Sequence, residues 1–153
     1  MEISAKLKWS NELKFDVEIA EGRALELNST QEMGRAFTPM ELFLVSLAGC
    51  TAMDVQWILE KQRLRIDKME ISVRGIRREE DPKYYEKIDL EYSIVGQDVK
   101  KSAVERAIRL SQEKYCSVRA MLNDNVKLNI GYTIAKDKGP SEKFNYAASP
   151  KTL

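Results

Sequence analysis

The chain has 153 residues, with 25 Lys and Arg against 24 Asp and Glu, and no histidine. This near-neutral balance gives no electrostatic case for a nucleic-acid partner. Without histidine, the chain cannot supply Ser-His-Asp or Cys-His nucleophile arrangements or any His-bearing zinc site, and its two cysteines alone cannot build a four-thiolate centre. At 43% hydrophobic and 32% charged residues, the composition is that of an ordinary globular domain able to bury a core.

In chain order, Ile3, Ala5, Leu7 and Trp9 alternate with Glu2, Ser4, Lys6 and Lys8, the pattern of a half-buried strand rather than of a basic patch leading into an apolar secretory run. Leu13, Phe15, Val17 and Ile19 repeat the alternation after an "SN" turn, and Leu25 and Leu27 mark a third strand. Thr38 then stands as an N-cap before Pro39, and the spacing predicts a helix from Pro39 to about Arg63. From Leu42 to Leu59 this helix is apolar almost all round, so it is expected to be buried on every side, with a partner subunit supplying the cover. Its longest apolar run, Leu42 to Met53, is shorter than the roughly 18 residues of a membrane span.

Strands are expected around Met69–Val73 and Ile88–Ile94, with "RGIRREE" as a solvated loop. An amphipathic helix follows over residues 99–115, then a short helix in "SVRAML", then a strand at Val126–Ile134. The order β-β-β-α-β-β-α-β, joined by hairpins, predicts an α+β protein with antiparallel sheets. Residues 1–136 form one domain on this reading, and the Gly/Pro/Ser/Lys-rich segment 137–153 is a loose or partner-docked tail. The absence of a secretory pattern points to the cytoplasm, where two cysteines do not ordinarily form a static disulfide but a transient catalytic one is allowed.

Those cysteines are the residues able to carry chemistry. Cys50 lies in "VSLAGCTAMD", where Gly49 and Thr51 leave room for a substrate or a second sulfur. Cys116, in "EKYCSV", is placed to open a short helix, where backbone N–H groups would favour its thiolate. Asp54, one turn after Cys50, would raise the neighbouring thiol's pKa. Cys50 sits about three turns into its helix, beyond useful reach of the dipole, and would need a cation from elsewhere: Arg35, Lys8, Arg23 or Lys114. Both cysteines as plain packing residues is the generic alternative.

The segments "TPMELFLVSLAGCTAMDV" and "LSQEKYCSV" resemble the two cysteine-bearing motifs of the OsmC/Ohr family of osmotically inducible and organic-hydroperoxide-resistance proteins, and within it the YhfA-type branch. The resemblance runs from Ile3 to Ile134. It implies an OsmC-like fold, an intertwined homodimer with sheets wrapped around central buried helices. It also implies a cytoplasmic thiol peroxidase for oxidative-stress defence: Cys50 attacks an organic hydroperoxide, Cys116 resolves the sulfenic acid, and a lipoyl-type dithiol restores both thiols. No bound cofactor, metal, nucleic acid or membrane is implied. The pattern departs from the resemblance at one point. Met40 follows Pro39, where the family's peroxidases have glutamate, so Glu41, the carboxylate that would support the thiolate, falls about 180° around the helix from Cys50. Lys8 and Trp9 stand near the position of the family's activating arginine. This leaves open a non-catalytic, redox-responsive or small-ligand-binding dimer.

Overall fold

The computed structural model describes residues 2–19, 22–30, 34–136 and 141–146, in two compact units, Met1–Phe43 and Leu44–Leu153. In the first unit the expected alternation becomes a meander of β1 (Ala5–Asn11), β2 (Lys14–Ile19) and β3 (Arg23–Asn28), paired antiparallel in that order. The register sets Leu7 opposite Val17 and Val17 opposite Leu25, with Trp9, Phe15 and Leu27 on the same face. Asn28 is buried, and its side-chain oxygen accepts from the N–H and hydroxyl of Thr30 at 2.8 Å each, ending the strand in an Asx turn.

Helix α1 (Pro39–Lys61) begins where the sequence says it should. Thr38 N–H donates to Glu41 Oε2 at 2.7 Å, and Glu41 N–H donates to Thr38 Oγ1 at 3.2 Å, a reciprocal capping box. Within one chain α1 is covered on part of its surface. One stripe is buried, Leu47, Thr51, Val55, Ile58 and Leu59, while Val45, Met53 and Trp57 are exposed. By length and composition α1 alone among the described helices could cross a bilayer, but its buried stripe belongs to a protein core.

The second unit holds a four-stranded sheet in the order β4 (Lys68–Arg77), β5 (Tyr85–Val95), β6 (Lys127–Ala135), β7 (Glu142–Tyr146). The mixed α+β class holds, but purely antiparallel pairing does not. β5 and β6 are parallel, Leu90 against Ile130 and Tyr92 against Tyr132, because the chain between them crosses over through helices instead of turning back in a hairpin. Two segments expected as irregular also join the sheet. "RGIR" completes β4, and Glu142–Tyr146 of the supposed loose tail pairs with β6. Phe144 stacks on Tyr132 with ring centroids 5.1 Å apart. The residues 137–140 and 147–153 of that tail lie outside the described ones.

One face of this sheet is the core. Leu90, Tyr92, Ile94, Ile130 and Tyr132 pack against Val55, Ile58 and Leu59 of α1 and against Val104, Ala107 and Ile108 of α2 (Lys101–Leu110). Each large apolar side chain buried here is worth about 1.5–3 kcal/mol.

Candidate functional site

Cys50 and Asp54 are one turn apart on α1, beside the buried stripe and half-buried themselves. Cys116 reaches them from the crossover. Helix α2 does not continue regularly to residue 115 but passes into a π-helical turn, Ser111–Tyr115. Cys116 N–H closes this turn on the Ser111 carbonyl at 2.9 Å. The same Ser111, fully buried, donates its hydroxyl to Asp54 Oδ2 at 2.9 Å. One residue therefore fastens the π turn that carries Cys116 to the helix that carries Cys50.

The result is a tight group. Cys50 Sγ, a carboxylate oxygen of Asp54 and Cys116 Sγ all lie within 4.8 Å of one another. The two thiols are free and unequal: Cys50 is partly accessible, whereas Cys116 is 4% exposed. A side-chain carbon added at Gly49 would meet nothing within 4 Å, so the helix leaves open space next to Cys50.

Cys116 caps α3 (Ser117–Met121), and its Sγ accepts from Arg119 N–H at 3.3 Å. The expected N–H is present and favours the thiolate, but burial outweighs it. Burial pushes the Cys116 thiol up to about 12, with the neighbouring Cys50 and Asp54 adding to the rise and the Arg119 N–H opposing it. The Arg119 guanidinium is partly buried, which lowers its own pKa, and it interacts with both Asp124 and Cys116.

Tyr92 approaches from β5, 1% exposed. Burial raises its pKa, and Cys116, Asp54 and Cys50 add to the rise, so the phenol lies within electrostatic reach of all three. The Thr51 hydroxyl, which donates to the Ala48 carbonyl at 3.1 Å, lies near enough to pull the other way. Tyr92 Oη makes no hydrogen bond of acceptable geometry among the described residues.

Of the residues expected from sequence, the structure brings Cys50, Asp54 and Cys116 together. Glu41 is engaged in the capping box with Thr38. Arg35 lies in an exposed turn of the first unit, and Lys8 and Arg23 are exposed on β1 and β3. Lys114 Nζ sits over the Tyr115 ring, 5.3 Å from its centroid. Arg119, Ser111 and Tyr92 were not foreseen as site residues. Only Arg119 carried a usable signal, a cation three positions after a cysteine that opens a helix.

Comparison with known proteins adds context. Residues 31–131 match the family described as OsmC-like protein. Protein YhfA of Escherichia coli (strain K12) is 37% identical over 132 residues, which are 86% of this chain and 98% of that one. The crystal structure of a hypothetical protein from Aquifex aeolicus VF5 is 34% identical, with a TM-score of 0.80 over 90% of this chain and 99% of the other. The organic hydroperoxide resistance protein OhrB of Bacillus subtilis shares the fold, at 14% identity and a TM-score of 0.62 over 86% of this chain and 98% of its own.

Proposed function

The chain belongs to the OsmC-like protein family, and we propose that within it this protein is a thiol-dependent peroxidase that reduces organic hydroperoxides. The observation that carries the reading is the pair of unequal thiols: an accessible Cys50 with its sulfur within 4.8 Å of that of a buried Cys116. An S–S bond is about 2.05 Å, so closure asks for a shift of less than about 3 Å.

The partly accessible Cys50 sulfur is the one a substrate can reach. The Cys50 thiolate attacks the outer peroxide oxygen, the O–O bond breaks, and the alkoxide leaves as alcohol after taking a proton. Cys50 becomes a sulfenic acid. Cys116 then attacks the Cys50 sulfur, an S–S bond forms, and hydroxide leaves as water with the Cys116 proton. Asp54, within reach of both sulfurs, is placed to relay that proton. An external dithiol of lipoyl type exchanges with the disulfide, regenerating both thiols and leaving as its own disulfide. No resident metal or organic cofactor takes part. The protein works as a cytoplasmic homodimer in oxidative-stress defence, and the exposed Val45, Met53 and Trp57 on α1 support an apolar face covered by a second copy.

A single experiment tests the reading: intact mass and free-thiol counting after stoichiometric cumene hydroperoxide, then dithiothreitol. We expect loss of two hydrogens per chain, reversed by the dithiol. Cys116→Ser should instead gain one oxygen, and Cys50→Ser should not react. Two unmodified thiols in the wild type would favour the second reading, a non-catalytic, redox-responsive or small-ligand-binding dimer. The acidic Asp54 beside both sulfurs and the engagement of Glu41 at the helix cap are what support that alternative.

A further inference from the structure

We infer that Cys50, Asp54 and Cys116 of the reduced protein form a three-ligand binding site for a thiophilic divalent cation of the Zn2+ class, one ion per chain. The argument starts from the donor set. Two sulfurs and one carboxylate oxygen converge within 4.8 Å of one another. Zinc holds sulfur at about 2.3 Å and carboxylate oxygen at about 2.0–2.2 Å, which sets tetrahedral ligand atoms roughly 3.5–3.8 Å apart. Drawing the three atoms in by about an ångström suffices, and rotamer adjustment of side chains on two different elements provides that. Soft sulfur donors select Zn2+ over Mg2+ or Ca2+, which prefer all-oxygen shells.

The surroundings also fit an ion. Asp54 is already oriented by the buried Ser111 hydroxyl at 2.9 Å, the kind of outer partner that fixes a ligating carboxylate. Cys116 is held by two backbone bonds, its N–H to Ser111 and its Sγ from Arg119 N–H. Two thiolates and a carboxylate carry three negative charges. A divalent ion leaves one, and the partly buried Arg119 guanidinium beside Cys116 offsets it.

The second observation is independent of the donors. Tyr92 Oη is buried within electrostatic reach of all three ligands and, the nearby Thr51 hydroxyl aside, has no hydrogen-bond partner of acceptable geometry among the described residues. A buried hydroxyl without a well-placed partner is unfavourable. Three protein ligands leave one zinc coordination position for water, and such a water would offer Tyr92 a hydrogen-bond partner. The absence of histidine and of four cysteines excludes the commoner zinc sites from this chain, but not a Cys-Asp-Cys site assembled across the fold.

The site coincides with the redox pair, so metal and disulfide exclude each other. The inference stands on geometry, and its test is separate from turnover. Reduced full-length protein, kept anaerobic, is titrated with Zn2+ against a chromophoric chelator, and with Co2+ as a spectroscopic substitute. We expect one equivalent per chain, tetrahedral d–d bands with sulfur-to-cobalt charge transfer, and protection of both thiols from alkylation that a chelator reverses. Cys50→Ser and Cys116→Ser should remove the charge-transfer band or cut it by half, and Ser111→Ala should weaken binding about 10–100-fold. Alkylation protection in the wild type tests the same point should a variant fail to fold. Absence of protection and of tetrahedral Co2+ bands would overturn the inference, as would binding that survives in the double serine variant. Zinc binding without hydroperoxide turnover would uphold the site and sink the peroxidase. Turnover without binding would do the reverse.

Discussion

The two sheets of this protein are written in the same alternating pattern and end in different surroundings. In β1–β3, an apolar face of Leu7, Trp9, Phe15, Val17, Leu25 and Leu27 leaves Val17 as the one buried hydrophobic residue among those described before α1. In β5 and β6, a comparable row of Ile88, Leu90, Tyr92, Ile94, Ile130 and Tyr132 is almost wholly excluded from solvent. The difference lies in what each sheet is given to pack on. The second sheet has α1 and α2 against its face. Among the described residues, the first unit holds no α-helix beyond the opening turn of α1. Period-two alternation says that a face will be covered, not what covers it.

The largest test of that contrast is a matched pair of truncations. Leu59→Ala, fully buried on α1, should cost about 2–5 kcal/mol through lost transfer energy and a cavity. Leu7→Ala on β1, 52% exposed, should fall within about 0.5 kcal/mol if the face stays wet. Urea titrations of both variants decide it. A Leu7 penalty that approaches the Leu59 value and grows with protein concentration would mean that a second copy covers the first sheet. Next in size is Met53→Asp, a charge placed on the most exposed apolar side chain of α1. If that face is a subunit interface, the variant should dissociate at least about tenfold more readily, roughly 1.4 kcal/mol or more, and light scattering with size-exclusion chromatography would read the shift. A wild-type chain that is monomeric at all concentrations would remove the interface from the proposal.

Much of this architecture could be read directly. Thr38, Pro39 and Glu41 announce the start of α1, because capping chemistry is local. The alternations located six strands for the same reason. Neighbours in the sheet were not legible: the side-chain rows of β5 and β6 look the same whether the pairing is parallel or antiparallel, and the crossover decides. β7 was hidden in a polar tail because only Phe144 and Tyr146 mark its inner face. In the site, the i,i+4 spacing of Cys50 and Asp54 was visible, and the two motif cysteines were paired through the family resemblance. The π turn that aims Cys116 was not, since one extra residue in a helical turn leaves apolar spacing nearly unchanged over five residues. Tyr92 and Ser111 read as ordinary strand and helix positions because their roles depend on contacts distant in the chain, such as the Ser111–Asp54 bond.

The smallest effect belongs to the capping box at the end of the first unit. Thr38→Ala removes a hydroxyl that accepts from Glu41 N–H and donates to Glu41 Oε2 at 2.9 Å, and should cost about 1 kcal/mol at pH 7. The Glu41 carboxyl is held below its ordinary 4.5, first by the Thr38 backbone N–H and then by the Thr38 hydroxyl. A carboxylate depressed in the folded state contributes stability above its unfolded pKa and loses it as pH falls through the folded value. The gap between wild type and Thr38→Ala should therefore be wider at pH 7 than at pH 3. Glu41→Gln keeps an acceptor without the charge, so it should shrink the acid-sensitive part of the wild-type curve. Paired urea titrations at the two pH values measure both. A gap that stays constant across them would mean that the Glu41 charge adds nothing to the cap, and that the neutral hydrogen bonds alone hold the first turn of α1.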